Sequence, residues 1–357
     1  MNGQRLEKVL NYMKEDGIPQ IIISDPDAIF YLTGYYHFPY ERLFALYLSE
    51  TGEHKIFLNT LFTVPGDLGV EKIWYSDSDN GPKLIAGVTD HTKPLGIDKD
   101  FPARFLLPLM EYNGAASYRL ASHCVDKARA LKDEEERSLM RRASAMNDEC
   151  MKRLPSMLKE GMTEIDAADI VLSIYKELGA DGTSFQPLIA FGPNAAIGHH
   201  EPDNTKLKRG DCVLVDIGCK KDSYCSDMTR TFFFGEAAGH QKKIYSLVLQ
   251  ANMAAEAMIK PGVRFCDIDK TARDIITAAG YGPNFTHRLG HSIGMQDHEF
   301  GDVSSANTDC VQEGMCFSIE PGIYVEGDTG VRIEDLVIVT KDGCEILNHL
   351  TKELTIV

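Results

Sequence analysis

Apolar residues in the first third of the chain fall in short runs set apart by polar turns, the pattern of buried strands alternating with helices. Ile21-Ile22-Ile23 is a β-branched run closed by Ser24-Asp25-Pro26-Asp27, which predicts a strand ending in a turn. Residues 43–48 and 55–58 predict two further strands joined by a turn around Thr51-Gly52. Leu95-Gly96-Ile97 and Tyr118-Arg119-Leu120 predict two more, with a helix over 102–112 between them. Residues 1–16 read as a charged amphipathic helix carrying Arg5, Glu7, Lys8 and Lys14. The alternation predicts an α/β unit. No GxGxxG turn follows any of these strands, so a dinucleotide-binding fold has no direct support.

A break at residues 122–132 precedes a change of period. Residues 133–154 predict a long helix: Asp133, Glu134, Glu135 and Glu136 crowd its first turns, where the helix dipole favours negative charge. Leu139, Ala143, Met146 and Cys150 then recur at spacings of 4, 3 and 4 as one apolar stripe. Thr163 and Asp166 form a cap for a second helix that runs to about Leu178 and stops at Gly179. From Asp211 onward, strands are predicted over 212–217, 226–234, 315–319 and 330–340, with helices over 241–259 and 266–280. The division is into a smaller α/β domain, residues 1–125, and a larger α+β domain, residues 126–357.

Composition narrows the function classes. The 357 residues are 43% hydrophobic and 25% charged, the balance of a soluble globular protein. Fifty-three acidic against 37 basic side chains give a formal charge of −16. Such a surface repels phosphate backbones and anionic lipid, so general nucleic-acid and membrane binding are excluded as expectations, while cations are favoured. No apolar run approaches the roughly 18 residues that span a bilayer, and the N-terminal helix lacks the apolar core of a secretion signal. Nine cysteines, an odd number scattered without a CxxC pair, fit neither a disulfide framework nor a zinc ribbon. Reduced, mostly buried thiols in a cytoplasmic protein are the expectation.

The chemistry resides in acids set inside apolar strands. Val213-Leu214-Val215-Asp216-Ile217 is apolar apart from Asp216, and Asp227 opens the run Met228-Thr229-Arg230-Thr231. A hairpin turning near Lys220-Lys221-Asp222 would set Asp216 close to opposite Asp227, where like charges are destabilising unless a cation lies between them or one is protonated. Glu320 ends the strand Cys316-Phe317-Ser318-Ile319, and Glu334 lies within Val331-Arg332-Ile333-Glu334-Asp335-Leu336. Between the pairs runs an imidazole-rich, glycine-interleaved loop with His287, His291 and His298. Four carboxylates and an imidazole suit divalent ions of intermediate hardness, manganese, cobalt or zinc, and four negative ligands match the charge of two such ions. Taken singly, each residue has an ordinary explanation: a turn cap for Asp216 or Asp227, a core or surface histidine for His287, a polar turn for His199-His200, surface charge for Arg230 and Arg332. Those explanations do not account for acids recurring at buried-looking strand positions in separated segments.

The ordered set Asp216, Asp227, His291, Glu320 and Glu334, in the settings VDIGC, SDMTRTF, HRLGHSIG, SIEPGIY and GVRIEDLV, resembles the M24 metallopeptidases, and among them the Xaa-Pro dipeptidases (prolidases) and Xaa-Pro aminopeptidases. DPDAIFYLTGY, residues 25–35, is similar to their creatinase-type N-terminal domain, and Arg129-Ala130-Leu131-Lys132-Asp133-Glu134-Glu135 to the start of their pita-bread catalytic domain. The resemblance implies a dinuclear hydrolase that releases the N-terminal residue of Xaa-Pro peptides, with two divalent ions, Mn2+ or Co2+ ahead of Zn2+. It implies Asp227 and Glu334 as bridging ligands, Asp216 as the chelating ligand of one ion, and His291 and Glu320 as ligands of the other. Glu320 would also move the proton from water to the leaving nitrogen. His199 matches the histidine that stabilises the oxyanion, chosen over His200 because it lies five positions after Asn194; the chain reads Ile197-Gly198-His199-His200 where family members often have Leu-Pro-His. His298 and His287 match pocket histidines, and Arg332, two residues before Glu334, would orient a carboxylate ligand. A homodimer is a further implication.

Three other readings compete. A methionine aminopeptidase, an aminopeptidase without proline preference, would lack the large N-terminal domain. A creatinase-type amidinohydrolase works without metal, and a non-catalytic binding protein of the same fold would have eroded ligands, whereas all five are present. Dipeptidase and aminopeptidase specificity both stay open.

Overall fold

The apolar run of residues 21–23 becomes a strand because it is buried on both faces. The computed structural model describes residues 1–357, which divide into two compact units, Met1–Arg129 and Ala130–Val357. The helix spanning His123–Ala130 runs through position 125, at which the sequence divides the chain in the reading above.

In the first unit, helix α1 (Gly3–Glu15) is followed by β1 (Gln20–Ile23), α2 (Pro26–Thr33), β2 (Ala45–Ser49), β3 (Lys55–Asn59), β4 (Glu71–Tyr75), α3 (Gly81–Ala86), β5 (Pro94–Ile97), α4 (Ala103–Glu111), β6 (Ser117–Leu120) and α5 (His123–Ala130). The strands form one mixed sheet in the order β4-β3-β2-β1-β5-β6. β1 pairs in parallel with β5 and antiparallel with β2. All four residues of β1 are buried, which is why Ile21 to Ile23 are continuously apolar rather than alternating, while the buried Gln20 amide donates to Asp90 O and accepts from Tyr47 Oη.

Four elements of this unit differ from the sequence-based reading. The segment after β1 is a helix start: Asp25 is the N-cap, its side chain accepting from Asp27 N, and Pro26 supplies the first turn, where its missing N–H costs nothing. β4 and α3 are additional; β4 is an edge strand whose side chains are mostly half-buried or exposed, so no apolar pattern marks it. The break expected over 122–132 is largely occupied by α5.

The second unit opens with α6 (Glu134–Arg153), entered through a capping box in which Asp133 and Glu136 satisfy each other's backbone N–H groups. The buried face of α6 includes Ala143 and Cys150 but also Met140, Ser144 and Asn147, while Leu139 and Met146 are only half-buried. The stripe is rotated because Asn147 donates to Ile217 O at 2.8 Å and accepts from Tyr175 Oη at 2.5 Å, holding a polar side chain inward. α7 (Glu164–Leu178) begins at the Thr163 cap and ends at Gly179 with φ of 79°, a left-handed residue suited to glycine.

Then come β7 (Gly182–Thr183), β8 (Leu188–Phe191), β9 (Cys212–Ile217), β10 (Cys219–Lys221), β11 (Tyr224–Cys225), β12 (Met228–Phe233), α8 (Gly239–Met258), α9 (Phe265–Ala278), β13 (Gly290–His291), β14 (Asp302–Val303), β15 (Cys316–Ile319), β16 (Gly322–Val325), β17 (Thr329–Arg332), β18 (Asp335–Val339), β19 (Cys344–Ile346) and β20 (Thr355–Ile356). The central sheet runs β20-β12-β9-β8. Alternate residues of β9 face opposite sides: Val213, Val215 and Ile217 pack in a cluster with Cys150, Val171 and Ile174 of α6 and α7, whereas Cys212 and Leu214 pack in another with Val248 of α8 and Ile268 of α9. Asp216 therefore has the parity of the α8–α9 side, where the strands β15 to β18 also lie.

Two register details correct the sequence-based picture. The hairpin turns through Asp222 and Ser223, both at positive φ, and β9 pairs antiparallel with β12 so that Thr229, not Asp227, stands opposite Asp216. Asp227 is displaced two positions, a diagonal rather than direct neighbour. The strand expected over 330–340 is interrupted: β17 ends at Arg332 and β18 starts at Asp335, so Glu334 lies in the break.

Candidate metal centre

Each candidate acid sits where a strand starts, ends or breaks, except Asp216, which is inside β9. Asp227 immediately precedes β12, Glu320 immediately follows β15, and His291 ends β13. At those points the backbone turns away while the preceding apolar residues anchor it, so the polar side chain can be aimed without breaking the core.

The structure gathers these segments at one cavity of about 700 Å³. Asp216, Asp227, His291, Glu320 and Glu334 all line it, as do His199, His287, His298 and Arg332. Ligand-type atoms of Asp227, His291 and Glu334 lie within 4.8 Å of one another, and all three residues are buried. His291 Nε2 is 3.5 Å from Asp227 Oδ2 and 3.7 Å from Glu320 Oε1. Its Nδ1 faces Ser292 O at 3.3 Å; a carbonyl only accepts, so in the neutral ring Nδ1 carries the hydrogen and Nε2 turns a lone pair to the acids.

Behind the acids runs a fixed set of donors. Arg332 Nη2 donates to Asp216 Oδ2 at 2.6 Å, Nε to Thr229 Oγ1 at 3.0 Å and Nη1 to Tyr324 Oη at 2.9 Å. Thr229 Oγ1 in turn donates to Glu334 Oε2 at 2.6 Å. His287 Nδ1 lies 2.7 Å from Arg288 O and must donate there, leaving Nε2 to accept from the Tyr324 hydroxyl at 2.8 Å. The direction of bonding is thus Arg332 to Tyr324 to His287. Tyr324 is absent from the sequence-based site; on β16 it reads as an ordinary strand aromatic.

His298 stacks on His291 with ring centroids 3.8 Å apart and an interplanar angle of 11°. Arg288 Nη2 donates to His298 Nδ1 at 2.8 Å, so the neutral ring carries its hydrogen on Nε2. The His199–His200 pair is split. His200 Nε2 bonds Glu164 Oε2 at 2.6 Å, and that buried carboxylate also accepts from Phe191 N, Asn194 Nδ2 and Asp203 N; His199 is exposed at the cavity. The Glu164–His200–Asp203 grouping is therefore accounted for by its own hydrogen bonds. A third grouping, Asp16, His123 and Cys124, holds a 2.6 Å His–Asp pair, and burial pushes the Cys124 thiol up to about 12.

Electrostatics mark Asp227, Glu334, Glu320 and His291. Burial, then the adjacent Glu334 and Asp216, push Asp227 well above the ordinary carboxylate range. Burial, then Glu320 and Asp216, do the same to Glu334. Glu320 is raised by burial, partly opposed by His287 and Arg332, and burial lowers His291. Burial, with His291 and Arg288 beside it, lowers His298 to about 4. Asp216 Oδ1 and Asp227 Oδ1 are buried without a hydrogen-bond partner. Crowded acids with orphaned oxygens are costly unless cations neutralise them, so the donor set fits divalent ions with oxygen and imidazole ligands.

Asp297, also missed in the sequence-based site, lines the same cavity with its Oδ1 buried and unpartnered. An acid next to a histidine in a loop carries no signal of its own. Phe185, Pro187, Leu188 and Pro202 give the cavity an apolar stretch of wall.

Known proteins share this architecture throughout. The solved prolidase of Thermococcus sibiricus superposes with a TM-score of 0.92 over 100% of both chains at 32% identity. The dipeptidase PepE of Mycobacterium ulcerans gives 0.92 at 33% identity over 99% of this chain and 97% of that one. An uncharacterized peptidase of Staphylococcus aureus (strain USA300) is 36% identical over 355 residues, 98% of this chain and 99% of its own. The creatinase/prolidase N-terminal domain pattern matches residues 5–131, which holds the six-stranded sheet, and the segment carrying every candidate ligand, residues 138–341, matches the catalytic pattern. That catalytic pattern is the one of metallopeptidase family M24 and covers more than half of the chain, after the creatinase-type unit: the chain belongs to metallopeptidase family M24 and is a hydrolase of peptides.

Proposed function

We propose that this peptidase hydrolyses the bond preceding proline, releasing the N-terminal residue of Xaa-Pro dipeptides or of longer Xaa-Pro peptides, with two divalent ions, manganese or cobalt ahead of zinc. The observation that carries the reading is the buried convergence of Asp227, His291 and Glu334 beside Asp216 and Glu320, with orphaned carboxylate oxygens. The proline preference is supported by the likeness to a prolidase along the whole of both chains and by the apolar wall of Phe185, Pro187, Leu188 and Pro202, which suits a pyrrolidine ring.

Asp227 and Glu334 would bridge the ions, Asp216 would complete one side, and His291 and Glu320 the other. Bound divalent metal lowers the pKa of water towards ~7 and polarises the substrate carbonyl. Glu320 would take the proton from the attacking water and deliver it to the imide nitrogen as the bond breaks. His298 lines the cavity with Nε2 3.4 Å from Asp297 Oδ2, and His199 lies at its exposed edge; either would donate to the oxygen on which negative charge develops. Arg332 holds Asp216 in orientation and, through Tyr324, fixes His287 on the substrate side. A cytoplasmic homodimer completes the reading.

Metal analysis and a peptide panel test it: tightly held divalent metal and cleavage of Ala-Pro with manganese or cobalt are expected. Absence of both defeats the proposal. Comparison of Ala-Pro with Ala-Pro-Ala separates dipeptidase from aminopeptidase specificity, and sedimentation of active protein as a monomer overturns the dimer.

A further inference from the structure

Two carboxylates line the cavity outside the ligand set, Asp297 and Glu201. Glu201 is exposed to solvent, which satisfies and screens it. Asp297 is half-buried; its Oδ1 is shut off from solvent and has no hydrogen-bond partner, and its Oδ2 lies 3.4 Å from His298 Nε2. A buried acceptor left without a donor is costly, and at the wall of a binding cavity it marks where a ligand's donor belongs.

The protein's own cations at this cavity are committed elsewhere. Arg332 is spent on Asp216, Thr229 and Tyr324, and Arg288 on His298 Nδ1 with Asp302 at 3.7 Å. Asp297 is also outside the group whose donor atoms converge, which consists of Asp227, His291 and Glu334. A donor on the substrate would satisfy it. A dipeptide ending in proline has no amide N–H at all, because the imide nitrogen carries none. Its one backbone donor is the free α-ammonium, a point charge with three N–H groups.

We propose that Asp297 receives the α-ammonium of the substrate and so confines the site to peptides with an unblocked N-terminus. This assignment rests on the Xaa-Pro reading for its choice of substrate, and it makes Asp297 a binding residue rather than a ligand of the ions. Charge-assisted hydrogen bonds of this kind are among the stronger ones in proteins.

The test uses the manganese-loaded protein and a ketomethylene isostere of alanyl-proline, in which carbon replaces the scissile nitrogen, beside the same compound lacking its amine. Dissociation constants come from calorimetry, and the melting temperature verifies folding. Wild type should prefer the amine-bearing isostere, and Asp297→Asn should weaken that compound about tenfold or more while leaving the des-amino compound and manganese affinity unchanged. Asp297→Ser serves as a second variant with the same expectation. Equal weakening of both isosteres, a fall in manganese affinity without selective loss of the amine, or a wild-type protein indifferent to the amine each overturns the assignment. An amine preference equally strong on an alanyl-alanine isostere, and lost with Asp297, upholds Asp297 while overturning the proline reading.

Discussion

Arg332 Nη2 meets Asp216 Oδ2 at 2.6 Å across 116 residues of sequence, with side chains 5% and 17% exposed. The same guanidinium reaches Thr229, whose hydroxyl donates to Glu334, so one cation aligns two of the proposed ligands. Although burial opposes its charge, Tyr324, Asp216 and Glu320 hold Arg332 well above the ordinary arginine value. Lysine would keep the charge and lose the planar fork. Arg332→Lys is expected to fold and to lose about 10–100-fold in metal affinity; calorimetric titration of the metal-free variant measures it, and wild-type affinity would refute the alignment role.

Removing the metal should make stability depend on pH in a defined direction. Asp227 and Glu334 are raised well above their usual values and Asp297 to about 6, all chiefly by burial. A carboxyl whose folded pKa is raised contributes stability that is fully present below its unfolded pKa and lost as pH rises through the folded value. His291, lowered by burial, acts oppositely and costs stability as pH falls below its unfolded value of about 6.5. Above about pH 7.5 the imidazole is neutral in both states and only the carboxyl effect remains. The chelated protein should therefore lose melting temperature as pH rises from about 7.5 to 9, and added manganese should raise it most at the upper end while releasing protons. A melting temperature that rises over this range in the chelated protein counts against the buried cluster.

The two adjacent histidines should separate cleanly. His200 is one of the donors to buried Glu164. His200→Ala leaves three other donors in place and should cost about 1–3 kcal/mol of stability in denaturant unfolding. His199 is exposed, so His199→Ala should change stability by less than about 0.5 kcal/mol. If His199 meets the developing oxyanion, kcat should nevertheless fall about 100-fold or more. The reverse pattern, with stability lost at His199 and turnover at His200, would reassign the pair.

What the chain discloses locally, it discloses well. The Thr163 cap and the Gly179 stop bound α7 because both act within a few residues of sequence. Asp216, Asp227, Glu320 and Glu334 stand out because an acid inside or beside an apolar run violates the period that buries its neighbours. Their exact setting does not follow from that violation: the register that puts Thr229 opposite Asp216, and the break that holds Glu334, depend on pairing between strands far apart in sequence. α2 is hidden because Ser-Asp-Pro-Asp serves equally as a turn and as a helix start. Tyr324 and Asp297 are hidden for a different reason, since each is an ordinary residue for its element until tertiary structure sets it beside Arg332 or His298.

Asp227 and Glu334 give the most direct measure of how far the site is strained without its ions. In the metal-free protein two buried acids repel one another, and Asp227 Oδ1 has no donor. Asp227→Asn replaces a charge with a neutral side chain of the same shape, so it relieves the repulsion while adding N–H groups that Glu334 can accept from. In chelator the variant should unfold within about 1 kcal/mol of wild type or be the more stable of the two, because the swap keeps the side chain's shape and removes one member of a buried like-charge pair. With manganese present the order should invert, since wild type gains binding free energy that the variant has lost. Turnover of Ala-Pro should be abolished in the variant. A variant that stays active, or one that is strongly destabilised in chelator, would show that Asp227 serves the fold rather than a pair of ions.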